Sequence, residues 1–151
     1  MLTRVRFGPL MILVIGCATP EADIPGELRG TTGIHYGEQD EAAKAACKLI
    51  RERESDAEKW EFCGCLYQDS EGIQVGLPKT DRKATQCRPE CSPSPDGMKL
   101  VGRYHNHRIT AEPSHIDRMI AKQNPLLGHY LCSPSGIVRR FSAMEGFVIV
   151  R

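Results

Sequence analysis

The stretch Gly102-Arg-Tyr-His105-Asn-His107-Arg-Ile-Thr-Ala-Glu-Pro-Ser114-His-Ile-Asp117 decides how this chain is read. Side chains alternate along an extended strand, so His105 and His107 point to one face and two imidazoles can share a metal ion. Pro113-Ser114 then opens a short helix that runs to about Lys122 and stops at Asn124-Pro125. Asp117 lies three residues into that helix and returns a carboxylate from a separate element. Two nitrogens and one oxygen suit zinc and leave the fourth tetrahedral position open, as catalysis requires. The Ser114 hydroxyl, at the helix N-terminus, is expected to donate to an oxyanion.

Upstream, Met98 to His105 reads as the strand carrying the histidines. Glu61 to Tyr67 reads as another strand, Asp69-Ser-Glu-Gly72 as a turn, and Ile73 to Leu77 as the returning strand of a hairpin. From Asp40, a run of alanines places Ala42, Ala45, Ala46, Leu49 and Ile50 on one helical stripe, with Asp40 as its expected cap. Downstream, Tyr130 to Cys132, Ile137 to Phe141 and Phe147 to Val150 read as short strands. Pro78 to Gly97, with four prolines, reads as an irregular excursion. The fold class expected is α/β: one domain over residues 38–151, with a mixed central sheet flanked by helices. A base that accepts a water proton is still missing from the histidine stretch, and spacing alone selects none.

The pattern Glu61-x-x-Gly64, His105-x-His107, Ser114-x-x-Asp117 resembles the JAMM (JAB/MPN-type) metalloprotease signature. That resemblance implies zinc held by His105, His107 and Asp117, Glu61 as general base, and Ser114 assisting the intermediate. Over about Glu41 to Val150, Glu-Phe-Cys-Gly, Tyr-His-Asn-His and Tyr130-Leu-Cys-Ser-Pro-Ser-Gly136 also resemble the domain of unknown function family 4329, grouped with JAB-like folds. Two departures stand out. Arg108 follows the second histidine where JAMM proteases carry Pro, and only six residues separate His107 from Ser114. Zinc-dependent hydrolysis of a peptide or isopeptide amide in a protein or peptide substrate is the function implied. The alternative is a catalytically inactive envelope module that binds another protein.

Residues 1–16 hold Arg4 and Arg6 and an apolar run from Pro9 to Ile15 that is too short to span a bilayer, so they read as an export signal. Val14-Ile15-Gly16-Cys17 resembles the bacterial lipobox, which implies a lipid on Cys17 and attachment to the cell envelope. Ala18 lacks the acidic character associated with inner-membrane retention, which implies the outer membrane where one exists. Residues 17–37, rich in Gly, Pro, Thr and Glu, read as a tether. Six further cysteines (47, 63, 65, 87, 91, 132) in an exported chain are expected to form disulfides; Cys87 and Cys91 are close enough for a local bridge, and the other pairings stay open.

Bland readings stand beside these. Lys plus Arg number 20 against 19 Asp plus Glu, so no field draws the chain to nucleic acid, and no nucleic-acid partner is expected. Ser114 and Asp117 also spell a capping pair, a role Asp117 is not expected to combine with metal binding. Cys87, Cys91, His105 and His107 approximate a structural zinc site, with histidine spacing too short for a zinc finger. Cys63 and Cys65 share a strand face as disulfide or core residues, and His35, His115 and His129 read as surface or packing residues.

Overall fold

Alternation along two neighbouring strands sets the architecture. In β2 (Phe62–Gln68), Phe62 and Leu66 face one side of the sheet, while Cys63, Cys65 and Tyr67 face the other. In β5 (Lys99–Asn106), antiparallel to β2, Tyr104 joins the Phe62 side and His105 stands opposite Cys63. The pairing shifts after Leu66, which leaves Val101 as an extra residue in β5 and restores the facing of the residues below it. The structure, a computed structural model, describes residues 30–91, 94–95, 97–110 and 112–151. The expected export signal, the lipid at Cys17 and the first part of the tether lie outside these residues.

The remaining elements are β1 (Thr31–Tyr36), α1 (Gln39–Arg53), β3 (Ile73–Gly76), β4 (Lys79–Thr80), α2 (His115–Gln123), β6 (Gly128–Cys132), β7 (Val138–Ser142) and β8 (Gly146–Ile149). The sheet order is β1-β3-β2-β5-β6-β7-β8, with β4 paired to β2. Every neighbouring pair is antiparallel except β5 and β6, which are parallel and joined through α2. This is the mixed α/β sheet with two helices that the sequence predicts, in a single domain. Among the described residues no helix is long and apolar enough to cross a membrane.

Helix α1 packs one face of the sheet through Ala42, Ala43, Ala46, Cys47 and Ile50, against Phe62, Leu66, Val75, Tyr104, Tyr130 and Val138. Small residues let the helix backbone lie close to large aromatic side chains. Tyr104 is fully buried, its hydroxyl donates to the Gly76 carbonyl across 2.5 Å, and a methyl on the opposing Gly64 would overlap its phenol ring. That steric demand accounts for a glycine three residues after Glu61.

Three expectations need correction. Residues 31–36, read as tether, form edge strand β1 on β3. Their signal is weak because the register is irregular and their one large aliphatic, Ile34, is 56% exposed. Asp40 does not cap α1: the helix begins two residues earlier than that cap implies, at Gln39, Glu38 occupies the cap without a side-chain bond, and the Asp40 carboxylate accepts from Tyr130 Oη (2.8 Å) and Arg140 (3.1 Å). The stripe accordingly rotates to include Ala43 and Cys47 instead of Ala45 and Leu49, which are half-buried.

Third, Cys87 and Cys91 do not bridge each other. The bonds are Cys47–Cys132, Cys63–Cys87 and Cys65–Cys91. Adjacent same-face cysteines on β2 offer two anchor points, and the irregular excursion after β4 is clamped to both. With both thiols consumed, the structural-zinc alternative through Cys87 and Cys91 is excluded.

Candidate metal centre

The face of the sheet away from α1 carries the candidate site. The imidazole Nε2 atoms of His105 and His107 stand 3.3 Å apart. Asp117 faces both, with Oδ1 3.1 Å from His105 Nε2 and Oδ2 3.1 Å from His107 Nε2. Ligands placed about 2.0–2.1 Å from a tetrahedral ion lie roughly 3.3 Å from one another. The two imidazole nitrogens already have the spacing of two corners of such a tetrahedron, and the Asp117 carboxylate presents one oxygen to each of them, so the three side chains form a group able to hold a metal.

Local structure fixes each donor. The β5 alternation sets both imidazoles on one face, and the His107 backbone extends the ladder by donating to Cys132 O at 3.0 Å. His107 Nδ1 lies 2.9 Å from the Glu112 carbonyl, an acceptor, so Nδ1 carries the proton and a neutral ring turns its Nε2 lone pair toward Asp117. A lone pair facing a carboxylate needs a cation between them, either a proton or a metal. Without metal, the proton serves: burial depresses the basicity of His107, but its bonds to Asp117 prevail and raise its pKa. Burial likewise pushes Asp117 up, yet the bonds from His105 and His107 hold it well below the usual carboxylate range.

Ser114 and Asp117 form a reciprocal capping box. Ser114 Oγ accepts from Asp117 N at 3.1 Å, and Asp117 Oδ2 accepts from Ser114 N at 2.6 Å. Capping therefore does not draw Asp117 away from the two histidines. The cap fixes the side chain in the first turn, and the same carboxylate still faces both rings. Ser114 Oγ spends a lone pair on the cap, so its proton remains available to a third group.

Glu61 immediately precedes β2 and is buried on the same cleft. Its N–H donates to Lys83 O (2.9 Å) and its carbonyl accepts from Thr80 Oγ1 (2.7 Å), which locks its backbone against β4 and the segment that follows it. Burial raises its pKa, opposed by the nearby His105 and His107 and by Arg108. Asn106, which sequence reasoning passed over, connects the parts. Its Oδ1 accepts the Phe62 N–H, its Nδ2 donates to Ala57 O, and it lies between the two histidines. Its signal was present only in hindsight, as a polar residue at an inward-facing strand position.

A cleft of about 910 Å³ opens over these groups. Residues 84–89, part of the stretch read as an irregular excursion, form one wall, held by the Cys63–Cys87 bond and by Arg108 Nε donating to Ala84 O at 2.6 Å. Arg108, the departure from the JAMM pattern, thus anchors a wall. His129, read as a packing residue, is buried and also lines the cleft. His35 instead joins Asp69 and Gln74 at the edge of the sheet, apart from the cleft.

No protein-family model matches the chain, and no curated protein matches it by sequence. Among solved structures, it is similar to a JAB1/MPN domain protein from Archaeoglobus fulgidus, at 19% identity and a TM-score of 0.45, over 70% of this chain and 91% of that one.

Proposed function

We propose that this chain is a zinc-dependent hydrolase of the JAMM type that cuts a peptide or isopeptide amide. One observation carries the reading: a buried carboxylate with raised pKa, Glu61, lines the same cleft as two imidazoles and a carboxylate that converge closely enough to share a metal ion. His105, His107 and Asp117 would hold the zinc, which when bound would supply Lewis acidity and lower the pKa of water toward about 7. Glu61 takes the proton of the attacking water and passes it to the leaving nitrogen; its raised pKa suits both halves of that transfer. Ser114 donates its free hydroxyl proton to the developing oxyanion. The wall at residues 84–89 and helix α2 enclose an extended substrate.

The same proposal places the domain in the bacterial envelope, held by a lipid at Cys17, with a protein or peptide as its substrate. The three disulfides agree with an oxidising compartment. The test of activity is cleavage of a broad peptide and isopeptide library by the zinc-loaded chain, with Glu61→Gln as control. Cleavage that vanishes in the control supports the reading, and zinc-bound but inert wild type moves the chain to the protein-binding alternative.

A further inference from the structure

Arg103 precedes His105 by two residues on β5, so it projects from the same face about 7 Å along the strand. It lines the same cleft as Glu61, His105 and Asp117. Its cross-strand neighbours are Cys65, held in a disulfide, and His129, and neither is an anion. Among the described residues no carboxylate pairs with Arg103, and its Nε, shielded from solvent, meets no acceptor. The nearby anions are committed elsewhere: Asp117 to both histidines and to the Ser114 cap, Glu61 to the proton transfer. His129 donates through Nε2 to Asn124 O. The terminal guanidinium nitrogens are not shielded in this way and are paired with no carboxylate, and a half-buried cation without a counter-charge is costly unless an anion from the cleft completes it.

We propose that Arg103 receives a carboxylate of the substrate, one or two residues from the amide that is cut. An extended peptide advances about 3.3 Å per residue, which matches the spacing of Arg103 from His105. The planar fork of arginine fits a carboxylate through two parallel N–H bonds. The carboxylate is either a free chain terminus or an acidic side chain. The inference rests on the hydrolase reading and names its substrate class.

The test uses affinity, measured calorimetrically on the zinc-loaded full chain. Three malonyl-hydroxamate probes are capped by glycine (free α-carboxylate), by glycinamide (neutral) and by aspartic acid α-amide (side-chain carboxylate). At least one anionic probe is expected to bind roughly 10- to 100-fold tighter than the glycinamide probe, and which one identifies the source of the carboxylate. Arg103→Gln should erase the preference while leaving glycinamide-probe affinity unchanged. Arg103→Lys, which keeps the charge and the bulk, should reduce the preference several-fold and serves if the glutamine variant does not fold. Equal affinity for all three probes, or a preference that survives in the variants, overturns the inference alone. Failure of every probe to bind overturns the metal-centre reading and this inference with it.

Discussion

Phe62 donates its backbone N–H to the side-chain oxygen of Asn106, 2.5 Å away, inside the sheet. One bond thereby couples the residue after Glu61 to the residue between His105 and His107. Asn106→Ala would orphan the Phe62 donor and the Ala57 carbonyl at once, at a cost of about 1–3 kcal/mol for the buried donor alone. Because Glu61 would lose its registration, kcat should fall on the order of 10²-fold while zinc content stays at the wild-type level. Chemical denaturation, metal analysis and turnover on one substrate check this. Wild-type kcat in a folded Asn106→Ala chain would remove the positioning role.

The capping box gives Ser114 two separable duties. Ser114→Ala should lose about 1 kcal/mol of stability through the cap and roughly 10²-fold to 10³-fold in rate through the oxyanion. Ser114→Asp restores an N-cap acceptor but has no proton to donate at neutral pH. It should recover melting temperature without recovering rate. If Ser114→Asp regains both, the hydroxyl acts only through the helix.

The disulfides differ in what they hold. Cys47–Cys132 ties α1 to β6 across a sequence separation of 85, whereas Cys63–Cys87 closes a separation of 24 and pins the cleft wall. Chain entropy predicts losses of about 4–5 kcal/mol and about 3 kcal/mol when each is removed. The Cys63→Ser, Cys87→Ser chain should therefore stay folded at 25 °C and show a raised KM, with zinc retained. An unchanged KM would mean that residues 84–89 do not meet substrate.

The His107–Asp117 pair makes the metal-free protein sensitive to pH in two directions. Asp117 has a depressed pKa, so its contribution is present above its ordinary value of about 3.9 and is lost as pH falls through the folded value. His107 has a raised pKa, so its contribution is present below about 6.5 and is lost as pH rises through the folded value. Melting temperature relative to Asp117→Asn should thus be highest between about pH 4 and 6.5 without metal. Zinc, which binds neutral imidazole, should move that advantage to higher pH. Parallel pH curves for the two metal-free proteins would contradict the pairing.

Much of this was legible in the sequence, and the exceptions have physical reasons. Strands β2, β3 and β5 and helix α2 lie within a residue or two of their expected positions, because alternation and the Ser114 and Asn124 boundaries are local signals. Spacing brought His105, His107 and Asp117 together on the page as in the fold. Glu61, about 40 residues upstream, was reachable only through a family resemblance, since its approach depends on the β2–β5 register. Strand β1 hid because its one large aliphatic is exposed and its buried position is a polar Thr31, so no apolar alternation marks it. The disulfide pairing and Asn106 depend wholly on which strands become neighbours, and no local pattern encodes that.

The most direct test of the account is zinc content, measured by elemental analysis of the purified chain after dialysis against trace zinc. Wild type and Glu61→Gln should each hold one ion per chain, with only wild type able to cleave an amide. His105→Ala and Asp117→Ala should hold none, since each removes one of the three converging donors. Full zinc occupancy in a chain carrying both His105→Ala and His107→Ala would contradict the site, and with it the function proposed from it.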